Sequence, residues 1–381
     1  MKRVRQNPRR PIAVAIFPCA FSSFFLSALP SLLLPAFLST GAIAETYHVP
    51  GDYPSIGSAI GVAAWGDTVL VGPGTYRERN HDTELGSAKY ILKNGITLLS
   101  EGGPSATVLD GEREGTVLYA NDVGAATIIE GFTIARGESS GDYPDIFGGG
   151  ILCSASSPAF RDCVITGNVA DHGGGLYCIN GSAPSFLNCT FMSNEALYRG
   201  GGIFISSSEP TFENCIITGN RGESGGGIYT TYDASVFLGC TISGNEATYR
   251  GGGFYCFLTS TPVELERVIL RGNCAAVGGQ DAQLKWSGFS LTCNALRWDG
   301  IEGTNHQLIV NSLQVVEDPL FCEPEPCDEA PTPLGNYTLA GSSPCLPESS
   351  PCGRLIGALG AGCTIPSPTL SISWGRLKLG R

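Results

Sequence analysis

Between Gly148 and Gly279 the apolar residues come in pairs two positions apart, as in Ile151/Cys153, Pro158/Phe160 and Cys163/Ile165. A period of two is the mark of a strand, whose side chains alternate between faces. The pattern then repeats as a whole. A Gly-Gly-Gly triplet begins at Gly148, Gly173, Gly200, Gly225 and Gly251, with a shortened Gly278-Gly279 closing the series, at spacings of 25, 27, 25, 26 and 27 residues. Each unit has room for three short strands. Laid under one another, the units form columns: Ile151, Leu176, Ile203, Ile228, Phe254; then Phe160, Phe186, Phe212, Phe237, Leu265; then Cys163, Cys189, Cys215, Cys240, Val268. Asn168, Asn194, Asn220, Asn245 and Asn273 end each unit's apolar run. There a turn is expected, with Asn tolerating left-handed backbone and bonding locally.

Like residues recurring at fixed phase imply parallel, in-register strands, one coil above another. The predicted fold is all-β, a right-handed parallel β-helix of about ten coils over residues 67–320. A helical solenoid of similar period is excluded, because each interior Gly costs a helix about 1 kcal/mol and no i, i+3, i+4 stripe is present.

The flanks differ in composition. Residues 1–44 carry Lys2, Arg3, Arg5, Arg9 and Arg10, no acid, a long apolar stretch and a small-residue site at Ala42-Ile43-Ala44. They read as a signal peptide, and no later stretch is long and apolar enough to span a bilayer. Export to the cell surface, the outer membrane or the medium is therefore expected. Without the leader, 18 Lys and Arg face 35 acids, a net charge of −17, which argues against nucleic acid as a partner. Residues 45–66 include Tyr53-Pro-Ser-Ile-Gly-Ser-Ala-Ile60, a short helix suited to covering the first open edge of a solenoid. Residues 321–363 are rich in Pro and Cys and read as a C-terminal cap. Residues 364–381 form a Ser/Pro-rich and then basic tail.

The cysteines divide by position. Cys163, Cys189, Cys215 and Cys240 share one inward column and Cys153, Cys178 and Cys256 another; both read as buried thiols acting as small hydrophobes. Cys322, Cys327, Cys345, Cys352 and Cys363 lie outside the repeats, where an exported chain uses disulfides, with connectivity open. Cys274 and Cys293 stay unassigned. No Cys-x-x-Cys pair is present to hold zinc.

The segment "YPSIGSAIGVAAWGDTVLVGPGTYRE" resembles the opening of pectin-lyase-like β-helix proteins, in which a cap helix precedes the first coil. "CTFMSNEALYRGGGIF" is similar to the repeats of bacterial polymorphic outer-membrane and adhesin-type surface proteins, with Gly-Gly-Gly standing for Gly-Gly-Ala. Asp318-Pro-Leu-Phe-Cys322 and Ile356-Gly-Ala-Leu-Gly360 resemble the closing segment of exported β-helix proteins. The resemblance implies fold and export. The Asn-Thr-Asp, Asp-Asp and Gly-His-Gly signatures of hydrolases on this fold are missing.

The candidate chemistry is the row just before the Gly triplets: Asp171-His172, Tyr198-Arg199, Glu223-Ser224 and Tyr249-Arg250. Repeating once per coil, it should line one edge at about 5 Å intervals. Tyr198 and Tyr249 would stack on sugar rings while Arg199 and Arg250 hold hydroxyl or carboxylate groups. Asp171, His172, Arg199 and Glu223 are the only groups dense enough to suggest catalysis. Glu195 and Glu246 form a second, sparser row. Calcium needs about six to eight converging oxygens, more than this row supplies, so no cofactor is expected. The expected function is a structural or adhesive surface protein contacting extracellular polysaccharide or cell-surface glycan. The alternative is a polysaccharide lyase or glycoside hydrolase.

Overall fold

The computed structural model describes residues 43–139, 147–232 and 234–363. The tail, and the leader up to residue 42, lie outside the described residues.

Parallel in-register pairing follows the columns of the repeat. Ile151 pairs with Leu176, Leu176 with Ile203, Ile203 with Ile228 and Ile228 with Phe254. All five are fully buried. The described strands assemble into long sheets of eleven, ten, nine and six strands, with a small three-strand sheet near the C-terminus. One regular coil runs Leu176–Ile179 in the ten-strand sheet, Ser185–Leu187 in the eleven-strand sheet, Thr190–Met192 in the nine-strand sheet and Glu195–Arg199 in the six-strand sheet. Each regular coil therefore has four strands, where the sequence predicts three. The fourth escapes hydrophobic periodicity because a single residue per strand points inward, Ala170, Ala196, Gly222 or Ala247. The solenoid makes about twelve turns rather than ten. Its first strand is Thr46–Val49 and pairs with Thr68–Val71, in a stretch that carries no Gly triplet to mark the coil.

Inside, one strand spacing sets every contact. Phe160, Phe186, Phe212 and Phe237 stack with centroids 4.9, 5.0 and 4.7 Å apart and planes within 7°. Eight cysteines among the described residues are free, all of them buried. In the column of Cys163, Cys189, Cys215 and Cys240 each thiol reaches a carbonyl of the preceding coil, as Cys215 Sγ does to Phe186 O at 3.4 Å. Burial pushes the Cys163 and Cys215 thiols well above their ordinary range, so they remain protonated.

The asparagine column departs from expectation. The left-handed residues are those just before it, Gly167, Ser193, Gly219, Gly244 and Gly272. The asparagines point inward, are at most 5% exposed, and bond along the solenoid. Asn220 Nδ2 donates to Phe191 O and to Asn245 Oδ1, both at 2.9 Å. Its Oδ1 accepts from the backbone N–H and the Nδ2 of Asn194 at 3.0 Å. The same bonding links Asn168 to Asn194 and Asn245 to Asn273, and the ladder ends on Asp281. Buried amides must be paired, and a neighbouring coil offers an identical partner at the strand spacing.

The triplet glycines are required where coils touch. Gly200 has φ +66°, and a Cβ on Gly201 would run into the Arg221 carbonyl of the next coil.

A helix, Ile56–Val62, is capped by the Ser55 hydroxyl, which accepts from Ser58 N at 3.2 Å. It lays Ile56, Ala59 and Ile60 over the first coils. At the other end, disulfides join Cys274–Cys327, Cys293–Cys352 and Cys322–Cys363, while Cys345 is a buried free thiol. The first two tie residues 321–363 to the solenoid and the third closes that segment on itself, along the outer face of the nine-strand sheet, where Tyr337, Leu339, Cys345 and Ile356 bury Ile269, Cys293 and Ala295.

Candidate functional site

The strand before each Gly triplet carries the row selected from the sequence. Its lengths alternate: Val169–His172 and Arg221–Ser224 have four residues, Glu195–Arg199 and Glu246–Arg250 five. The extra residue makes a bulge, so that His172 pairs with Arg199, Arg199 with Ser224 and Ser224 with Arg250. One column thus reads His172, Arg199, Ser224, Arg250. The residues one position earlier, Asp171, Tyr198, Glu223 and Tyr249, run beside it. Leu197, in the bulge, is 60% exposed, and Tyr198 and Tyr249 are 44% and 42% exposed. The two tyrosines stand two coils apart, about 10 Å along the solenoid.

Around the corner lies an aromatic column on the outer face of the ten-strand sheet. Tyr177, Phe204, Tyr229 and Tyr255 stack at 4.8, 5.4 and 5.1 Å with planes within 7°. Each follows the inward Ile/Leu column by one residue, so the same period that marked the core also marked this stack, unnoticed. The candidate row folds over it. The His172 ring lies 5.6 Å from Phe204 and 5.6 Å from Tyr198, and the Arg199 guanidinium sits 5.3 Å above the Tyr229 ring. Arg250 instead rests on its neighbour Tyr249 at 4.9 Å. A guanidinium resting on a ring in this way can still offer N–H groups to a ligand.

Burial weakens His172 as a proton-transfer group. Burial, then the Arg199 charge, lowers His172 to about 4, so the ring is neutral at neutral pH, and its Nδ1 is buried with no hydrogen-bond partner. Such an imidazole is a weak base and cannot serve as a general acid near pH 7. Glu223 is exposed and lies beside Ser224 and Tyr249 rather than facing Asp171. His172 and Arg199 pair across two coils, with Asp171 next to His172 in the strand; Glu223 lies one coil further on. The second carboxylate row is interrupted by a cation. Glu195 pairs with Arg221 and Arg221 with Glu246 in register, and Arg221 Nε lies 3.2 Å from Glu246 Oε2. Among the described residues, no group of three or more His, Cys, Asp or Glu side chains is placed to hold a metal ion.

Charges also gather near the N-terminus around Asp110. Arg77 Nε lies 2.9 Å and Arg136 Nε 2.8 Å from its carboxylate. Burial pushes Asp110 up, but the bonds from Arg136, Glu112 N and Arg77 outweigh it and hold the carboxyl low. Lys89, buried, bridges Glu112 and Glu114 at 3.3 and 3.0 Å. These charges neutralise one another.

The family model described as "Right handed beta helix region" matches residues 106–275 and 149–312. No curated protein matches the chain by sequence. Among solved structures, a pectate lyase, Pel9A, is similar at 12% identity and a TM-score of 0.45, over 84% of this chain and 98% of that one. A pectin methylesterase from carrot aligns at 14% identity and TM-score 0.36, over 73% of this chain and 87% of its own. The pectin methylesterase of Yersinia enterocolitica aligns at 13% and 0.34, over 66% and 81%. None shares enough sequence to transfer a functional residue.

Proposed function

Since the chain belongs to the right-handed β-helix family, in which one outward position recurs at every strand spacing, we propose that it is an exported structural and adhesive protein. It holds an extracellular polysaccharide along the edge marked by Tyr198, Arg199, Tyr249 and Arg250. The observation that carries this reading is the register: exposed tyrosines two coils apart, flanked by guanidinium groups already oriented on aromatic rings. Ring faces suit the apolar faces of sugars, and fixed N–H forks suit their hydroxyl or carboxylate oxygens. The basic and then apolar leader supports export.

The polysaccharide lyase or hydrolase reading keeps one point in its favour, the pairing of His172 with Arg199 across two coils with Asp171 adjacent in the strand. One experiment separates the two. Mature protein is incubated with neutral and acidic polysaccharides, with calcium, and both affinity and new oligosaccharides are measured. Adhesion predicts binding without products, and an affinity about tenfold weaker in an Arg199→Ala/Arg250→Ala variant of unchanged melting temperature. Unchanged affinity removes this edge as the site. Products that vanish on changing Asp171 or His172 establish the enzyme instead.

A further inference from the structure

The turn between the ten-strand and eleven-strand sheets is left-handed in coil after coil. Asn180, Ser207, Tyr232, Leu258, Trp286 and Asn305 occupy the same position, each with φ between 49° and 60°. Asn is a natural occupant, since its short amide relieves this conformation; a ring carried there by Tyr or Trp is strained. Neither ring is used to fill the core. Tyr232 is 57% exposed and Trp286 45% exposed. Strained positions that solve no packing problem concentrate where a protein contacts a ligand.

Each ring walls a surface groove. One, of about 380 Å³, is lined by Gly181, Ala183, Ser207, Ser208, Glu209 and Tyr232. The other, of about 290 Å³, is lined chiefly by Thr259, Ser260, Trp286, Ser287, Asn305 and Gln307. The polar groups of the linings are hydroxyls and, in the second groove, amides, with the Glu209 carboxylate in the first. Lys285 lies 4.8 Å from the Trp286 ring and 5.6 Å from Phe257, spending its charge on those faces and steadying the indole. Tyr232 and Trp286 stand two coils apart, about 10 Å, the same interval that separates Tyr198 from Tyr249.

We infer that this row of turns is a second carbohydrate site, independent of the Arg199 and Arg250 edge, which takes an extended uncharged polysaccharide laid along the solenoid axis. Tyr232 and Trp286 stack on rings two coils apart, Ser260 meets hydroxyl groups between them, and Ser207 on one side and Asn305 and Gln307 on the other meet those beyond. An acidic chain is disfavoured, because Glu209 lines one groove and the protein as a whole carries net negative charge.

The test is isothermal titration of the mature protein with two neutral probes, cellohexaose and maltohexaose. The expected result is that at least one binds, and that Tyr232→Asn and Trp286→Ala each weaken it about tenfold whether or not Arg199 and Arg250 have been replaced by Ala. Because Asn suits the left-handed turn, Tyr232→Asn should also raise the melting temperature, by about 2 °C. That gain separates loss of a contact from loss of folding. The inference is overturned if neither hexasaccharide binds, if both aromatic variants bind as well as the parent, or if only the double arginine variant loses affinity.

Discussion

Replacing Asn220 by Ala should weaken the solenoid more than any single change on its surface, and the hydrogen bonds set the size. The side chain is fully buried and makes four bonds: two donated, to Phe191 O and Asn245 Oδ1, and two accepted, from the N–H and Nδ2 of Asn194. Ala removes all four. The costly consequence is two orphaned donors on Asn194, because a buried unpaired N–H costs about 1–3 kcal/mol, whereas a carbonyl keeps its second lone pair. The expected loss is about 2–6 kcal/mol. An exposed amide gives the contrast: Asn311→Ala, whose Nδ2 bonds at 3.0 and 3.3 Å lie in solvent, should cost no more than about 0.5 kcal/mol. Urea denaturation gives the stability difference, and hydrogen exchange shows where it falls. Protection should drop first in the coils carrying Asn194, Asn220 and Asn245, since a solenoid's stability is a sum over neighbouring coils. A loss below about 1 kcal/mol, or protection falling evenly along the chain, would refute a stacking role for the ladder.

Two further changes probe the core. Burial raises Asp281, the last rung of the ladder, from 3.8 to about 6, against the smaller opposing effect of its bonds from Asn273. A carboxyl raised on folding stabilises in its protonated form, so its contribution is fully present below pH 4 and lost as pH climbs through 6. The loss amounts to about 3 kcal/mol. Melting temperatures followed from pH 4 to 7 should fall across that window, and Asp281→Asn should flatten the fall; a slope that survives the substitution would assign it elsewhere. Cys215→Ser should cost about 1–2 kcal/mol, since the hydroxyl must be buried but finds Phe186 O within reach of the present thiol. A thiol reagent should leave the free cysteines unlabelled until denaturant is added, and ready labelling of Cys215 in the native protein would place that column at the surface.

The repeat itself determined most of the architecture. When Ile151, Phe160 and Cys163 recur at one phase, only parallel in-register stacking puts each on its like, so the register and the inward columns follow from the spacing alone. The edge carrying Tyr198, Arg199, Tyr249 and Arg250 followed by the same arithmetic. The tertiary structure decided whatever depends on which groups meet across coils or outside the repeat. The asparagines could have turned the chain or faced the core; a matching amide one strand spacing away made the core the favourable place, and the left-handed turn passed to the residue before. The fourth strand buries too little apolar surface to leave a periodic trace. Cys274 and Cys293 could be paired only once residues 321–363 were seen to run back along the nine-strand sheet. No local pattern records how far His172 is buried or which rings Tyr232 and Trp286 leave in solvent. Exposure and proton affinity are set by neighbours brought together from coils about 26 residues apart, and so only the assembled coils decide them.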